Sequence, residues 1–257
     1  MADMTWDIEK LLIISDAHLT SKKGAKTCST EESLIEVLEY CTEHSIRVLF
    51  LGDIFDYWME YPGFVPPISS AFRIKLAEFI QKSSPVIMIT GNHDNWTRDY
   101  FPSIGVELLH EQLFLKLDKK SILFLHGDGL SDLNFNFPRP LFHRLIRHPL
   151  FIRFYQRTLP KDYGLRLMKW FSTYSRKTNR TDTALLDNQA TKWIKQRIAD
   201  VVIAGHDHVA RRLDVDGGIY LNSGSFHSDR TAILYTNGDF KHVKWEHNHF
   251  VSYVYPQ

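Results

Sequence analysis

Cysteine is almost missing from this chain: Cys28 and Cys41 are the only two in 257 residues. That is too few for a disulfide framework, and their spacing does not suit a thiolate metal site. No apolar run approaches the roughly 18 residues needed for a membrane-spanning helix. The opening stretch "MADMTWDIEKLLIIS" lacks the basic flank and apolar core of a secretory signal. These absences predict a cytoplasmic, soluble protein, at most attached peripherally to a membrane surface. Net charge is nearly absent as well, at +1, but its distribution is uneven. Acid almost disappears between residues 139 and 180, where eleven Lys or Arg stand against Asp162 alone. A basic segment set in an otherwise acidic body points to an anionic partner.

The remainder is ordinary for a globular protein, 44% hydrophobic and 24% charged, and its length suits one large domain or a domain with an insertion. Short β-branched runs recur as "KLLIIS" (10 to 15), "RVLFLG" (47 to 52), "PVIMITG" (85 to 91), "SILFLHG" (121 to 127) and "DVVIAG" (200 to 205). Runs this continuously apolar predict strands covered on both faces. Helical spacing lies between the first three, in "STEESLIEVLEYCTEH", with Ser29 or Thr30 as the expected cap, and in "SSAFRIKLAEFIQK". The alternation predicts an α/β protein. Towards the C-terminus, "RRLDVDGGIYLNSGSF" and "RTAILYTNGDFKHVKWE" read as antiparallel hairpins turning at Asp216-Gly217 and Asn237-Gly238. Residues 131 to 199 differ, with aromatics, leucines and arginines at helical intervals broken by Pro149 and Pro160. They read as a helical insertion.

Each of the five strands stops at polar groups able to bind metal: Asp16 and His18, Asp53 and Asp56, Asn92 with His93 and Asp94, His126 and Asp128, and His206 with Asp207 and His208. In α/β sheets, ligands gather beyond the carboxyl ends of the strands. Any one of these loops is explained by turn chemistry, but five together predict a single site. Carboxylates, imidazoles and one amide suit Mn, Fe or Zn, whereas an all-oxygen set would favour Mg or Ca. Residues two apart on extended chain point the same way, which lets Asp16 act with His18 and His206 with His208.

In the order "DAH…GDIFD…GNHD…HGD…GHDH", these motifs resemble the calcineurin-like metallophosphoesterases. The resemblance implies a four-layer αββα sandwich over residues 1 to 257, with a helical cap insertion at about 131 to 199. It implies two divalent ions, manganese first with Fe or Zn as alternatives. One would be held by Asp16, His18, Asp53 and His208, the second by Asn92, His126 and His206 with Asp53 as the bridge. A pair of cations roughly 3.5–4 Å apart can grip a phosphate ester and lower the pKa of a water. His93 would protonate the leaving oxygen, with Asn92 beside it and Asp94 either orienting the ring or capping the loop.

"SDAHL", "GDIFDYW", "HGDGL" and the basic stretch ending "YSRK" are further similar to the UDP-2,3-diacylglucosamine pyrophosphatase branch of lipid A biosynthesis. That branch implies a UDP-linked acylated sugar as substrate, UMP as product and contact with the inner-membrane surface. It also implies substrate contacts from Asn92, His93, Ser172, Arg176 and Lys177. Many members carry Arg where this chain has His93, which leaves room for a different lipid or nucleotide ester. In the insertion, Phe142, Leu145, Ile146, Leu150, Phe151, Phe154 and Tyr155 alternate with arginines. Such a surface suits a greasy tail with an anionic head, or else packs its aromatics on the sheet. A nuclease would need an open basic groove with stacking platforms, so no obligate nucleic acid is expected. A scaffold without metals would have lost a ligand, and every expected position is filled.

Overall fold

The computed structural model describes residues 8–20, 25–83, 85–130, 141–178 and 182–255; the side chains of 25–28, 141–143, 169 and 171–180 fall outside that description. In chain order the first half runs β1 (Lys10–Ile14), α1 (Ala25–Glu43), β2 (Arg47–Leu51), α2 (Ser70–Lys82), β3 (Val86–Ile89), α3 (Tyr100–Ser103), β4 (Val106–Leu109), β5 (Gln112–Leu117) and β6 (Lys120–Leu125). Four helices follow, α4 (Leu141–Arg147), α5 (Pro149–Thr158), α6 (Lys161–Thr178) and α7 (Thr183–Lys195). The chain then continues through β7 (Val201–Ala204), β8 (Arg211–Val215), β9 (Gly218–Asn222), α8 (Phe226–Asp229), β10 (Thr231–Thr236), β11 (Asp239–Glu246) and β12 (His249–Ser252).

All five expected strands form, but they divide between two sheets. The seven-stranded sheet runs β12-β11-β10-β1-β2-β3-β4 and the five-stranded one β5-β6-β7-β9-β8. β1, β2, β3 and β4 pair in parallel, as do β6, β7 and β9. Both anticipated hairpins are antiparallel, β8 with β9 and β10 with β11.

Alternation along the strands builds the layers. Leu11 and Ile13 of β1 enter a core between the sheets with Phe124 and Ile203, whereas Leu12 and Ile14 face α1 and α2 through Leu34, Leu38, Phe72 and Phe79. On the far side, Leu123, Val202 and Ala204 meet Leu186, Ala190 and Ile194 of α7. The result is the four-layer αββα sandwich. Each of these buried Leu, Ile, Val and Phe side chains contributes about 1.5–3 kcal/mol.

Two local expectations differ from the structure. Helix α1 begins at Ala25, so Ser29 and Thr30 lie within it and do not cap it. Helix α7, inside the stretch assigned to the cap, covers the five-stranded sheet; its apolar stripe is matched to that face. The prolines act as read, Pro149 at the start of α5 behind a His148 cap and Pro160 between α5 and α6.

Helices α4 to α6 stand beyond the sandwich. One face of α5 packs Ile152 and Tyr155 onto Met59, Tyr61 and Trp96. Three polar contacts anchor this unit. Arg147 pairs with Asp128 at 2.7 Å, and Gln156 donates to the Glu60 carbonyl at 2.6 Å while accepting from Arg98 at 2.7 Å. Leu145, Leu150, Phe154, Leu167 and Trp170 are left exposed. The aromatics of α5 divide: Phe151 and Tyr155 pack inward, against the loop residues Met59, Tyr61 and Trp96 and not against a sheet, while Leu150 and Phe154 face out.

The two sheets are also tied beside the strand ends. Nε2 of buried His242 on β11 donates to the Asn222 carbonyl of β9 at 2.7 Å, and Nδ1 accepts from the Tyr255 hydroxyl at 2.8 Å. Burial first, and the Arg212 charge with it, hold His242 below the usual histidine range despite the Asn222 contact. A depressed imidazole favours the fold only while neutral, so its contribution is complete above about pH 6.5 and is lost as pH falls through the folded value. Urea midpoints of wild type and His242→Gln, measured across pH 5 to 8, are expected to converge towards the acid end. A constant gap would contradict this.

Candidate metal centre

Because β1, β2 and β3 run parallel in one sheet and β6 and β7 in the other, the five loops leave from matching strand ends. Backbone bonds then stitch them together. Asp16 N donates to Gly52 O at 3.1 Å, His18 N to Asp53 O at 3.0 Å, and Gly205 N to His126 O at 2.9 Å.

Five of the expected ligands sit on left-handed backbone: Asp16 (φ 53), His18 (φ 46), Asp53 (φ 52), His206 (φ 74) and His208 (φ 63). For residues other than glycine this costs roughly 1–3 kcal/mol each and persists only where the surroundings enforce it. Such strain concentrates at working sites. Glycine is required alongside. At Gly52 (φ +88) an added Cβ would lie 2.5 Å from His126 Nδ1, and at Gly91 it would collide with the Asp53 carboxylate.

Two carboxylates organise the centre, each using one oxygen on the backbone and turning the other towards imidazoles. Asp16 accepts on Oδ2 from His206 N at 3.0 Å and from the Ser15 hydroxyl, while Oδ1 lies 3.1 Å from His208 Nε2. Asp53 accepts on Oδ1 from His93 N at 2.8 Å, and Oδ2 faces His126 Nε2 at 3.4 Å and His93 Nε2 at 3.8 Å. Atoms of Asp16, His18 and His208 form one cluster able to hold a cation, and those of Asp53, His126 and His206 a second, each within 4.8 Å. These are two sets of three from the expected ligands. Asn92 is exposed on the loop after β3.

The donor chemistry fits metal ions. His126 Nδ1 lies 2.8 Å from the Leu51 carbonyl, which only accepts, so Nδ1 carries the proton. That leaves Nε2 for the site, where it is buried without a hydrogen-bond partner. His18 Nδ1 is likewise buried without one. A mixed nitrogen and oxygen cage of this kind suits Mn, Fe or Zn.

Electrostatics agree. Burial would raise Asp16, but the hydrogen bond from His208 and the charge of His126 outweigh it and lower the carboxyl. Asp53 is driven well below the carboxylate range, burial being overcome mainly by His126 and His93. Burial brings both His18 and His206 down to about 4. His126 moves the other way, to about 10, because the Asp53 charge overcomes its burial.

Of the two roles read for Asp94, orienting His93 or capping the loop, the contacts are those of the cap: its carboxylate accepts from Ile54 N at 2.9 Å and Gly91 N at 2.7 Å, fastening the loop. Burial and then the Asp53 charge raise it to about 6. The His93 ring is held instead by the Asp56 carbonyl, 2.7 Å from Nδ1. Asp56, one of the strand-end groups read as able to bind metal, joins His18 and His93 in a third group of ligand-type atoms. His227, not foreseen, donates its amide to Asp16 O at 3.0 Å, and its ring centroid is 6.4 Å from that of His18. Its only sequence signal is a histidine just past "SGSF" at the end of β9. Ser172, Arg176 and Lys177 belong to α6, and their side chains lie outside the described residues.

An αββα sandwich with paired aspartate and histidine clusters at its joined strand ends defines a metal-dependent hydrolase of phosphate esters. The family model for calcineurin-like phosphoesterases matches residues 9–210, and the chain belongs to that family. Among curated relatives, the UDP-2,3-diacylglucosamine hydrolase of Porphyromonas gingivalis is 31% identical over 66% of this chain and 66% of its own length. The protein of the same name from Proteus mirabilis is 27% identical over 91% of this chain and 98% of its own. A solved phosphoesterase from E. coli is 15% identical, with a TM-score of 0.48, and covers 95% of this chain and 97% of its own.

Ligation requires deprotonated side chains. Without a cation, His126 holds a second proton throughout the neutral range, so metal entry must expel it and affinity should rise with pH. Calorimetric titration of the metal-free protein with Mn at pH 7, in buffers of differing ionisation enthalpy, is expected to show release of about one proton or more. Heats independent of the buffer would count against this cage.

Proposed function

We propose that the protein hydrolyses the pyrophosphate of UDP-2,3-diacylglucosamine, releasing UMP and 2,3-diacylglucosamine 1-phosphate for lipid A biosynthesis. The observation that carries the reading is the pair of aspartate and histidine clusters, in a chain whose curated relatives bear that substrate in their names. Two divalent ions, manganese foremost, supply charge neutralisation and an acidified water when bound.

The chain's own residues do the rest. Asp16, His18, Asp53 and His208 would hold one ion, and Asp53, Asn92, His126 and His206 the other. His93 gives a proton to the leaving oxygen; its Nδ1 is fixed on the Asp56 carbonyl, which leaves Nε2 for that exchange. Asn92 and His93 meet the pyrophosphate, and Ser172, Arg176 and Lys177 meet the sugar and uridine. Arg176 and Lys177 suit anion contacts by charge.

The anchored helices α4 to α6 form the cap of a single domain. Exposed Leu150, Phe154 and Trp170 beside exposed Arg144, Arg153, Arg157 and Arg166 favour an acylated anion and peripheral contact with the cytoplasmic face of the inner membrane.

Incubation with Mn and UDP-2,3-diacylglucosamine should yield UMP. Loss of a partner that merely orients a metal ligand costs about 10–100-fold, so Asp53→Ala or His126→Ala should lower turnover by more than about 100-fold. Unchanged turnover in either variant refutes the site. If the metal-loaded protein cleaves an aryl phosphate diester but spares this substrate, the substrate assignment fails and the phosphoesterase remains. For the surface, co-sedimentation with anionic phospholipid vesicles should weaken in a Leu150→Asp, Phe154→Asp double variant; equal sedimentation speaks against membrane contact.

A further inference from the structure

Between the two histidines of "GHDH" stands Asp207, whose side chain turns away from them into the protein. Its buried carboxylate is gripped by Arg211, the first residue of β8. Arg211 Nη1 donates to Asp207 Oδ1 at 2.8 Å and Nη2 to Asp207 Oδ2 at 2.6 Å. The same guanidinium reaches helix α7, with Nε 2.8 Å and Nη2 2.5 Å from Asp187 Oδ1. Further contacts reach the carbonyls of Val209 at 2.9 Å and Thr183 at 3.4 Å. The Tyr220 ring lies 5.4 Å beneath it. On the other flank, Asn222 Nδ2 donates to Gly205 O at 2.7 Å.

This network surrounds a backbone that needs enforcing. His206 (φ 74) and His208 (φ 63) both adopt left-handed conformations, and each sends its ring to a different cluster. A buried carboxylate requires a paired charge. A planar guanidinium can clamp two carboxylates at once in fixed geometry, which an ammonium cannot. Holding the middle residue of a three-residue turn fixes the outward direction of both neighbours.

We propose that Arg211 is a positioning residue for His206 and His208, and that through Asp187 it ties the shape of their loop to α7, the helix that follows the cap. The inference rests on His206 and His208 being metal ligands, and the test separates the two ideas. Metal-free wild type, Arg211→Met, Arg211→Lys and Asp187→Asn are titrated with Co²⁺, following visible absorption and calorimetric affinity. Far-UV circular dichroism and thermal melting of the metal-free proteins report folding.

Arg211→Met is expected to bind cobalt about 10–100-fold more weakly with an altered visible band. Arg211→Lys should recover part of that affinity, and Asp187→Asn should fall between Arg211→Met and wild type. A folded Arg211→Met with parental affinity and spectrum overturns the proposal while leaving the metal centre intact. Wild type that binds no cobalt removes the centre itself, and the proposal with it. Should Arg211→Met fail to fold, Asp187→Asn decides: weakened binding supports the link, and parental binding overturns it.

Discussion

Two carboxylates, Asp16 and Asp53, are almost completely removed from water at the place where two apolar sheets meet. An unpaired charge there would be prohibitively costly, and such groups survive only with hydrogen bonds and opposite charge around them. Much of the local architecture answers that demand. Backbone amides of His93 and His206 take one oxygen of each, and imidazoles crowd the other. The resulting field drives both carboxyls below their usual range. A centre balanced in this way has a surplus of electron-pair donors, which is the condition for holding cations.

The same demand explains the strain. Side chains from five strands can converge on so small a volume only if the chain turns sharply as it leaves each strand. Left-handed backbone at Asp16, His18, Asp53, His206 and His208 is the outcome, and the sheets supply the rigidity that sustains it. Outside this centre, helices α4 and α5 are joined to the neighbouring loops by Arg147 on Asp128 and Gln156 on Arg98. The helices and the loops that follow β3 and β6 therefore share polar anchors.

Much of this was legible beforehand because the signals are local. "KLLIIS" and "DVVIAG" are strands wherever they pack, since a run apolar on both faces has no stable exposed position. Pro149 stops α4 and opens α5 by its covalent geometry alone. The five motifs, read together, picked out seven candidate ligands, of which six form two clusters in space able to hold a cation. Other features had no local signal. The start of α1 at Ala25 does not follow from the capping pattern at Ser29. The amphipathic stripe of α7 looks the same whether it meets a cap or a sheet. Asp94 beside His93 in sequence suggested a partner for the ring, but two amides, one of them forty residues away, claimed its oxygens.

The chain by itself determined the strands, the turns and the inventory of donors, because those depend on residue type and on neighbours one to four positions away. It also determined the basic character of the insertion, which is a matter of composition. Only the tertiary structure decided that five similar strands would divide between two sheets, that Asp56 would hold His93 through a carbonyl, and that Arg211 would grip Asp207 and Asp187 together. Those are contacts between segments brought together by packing, and their partners are selected by shape and burial, quantities that do not exist until the layers close.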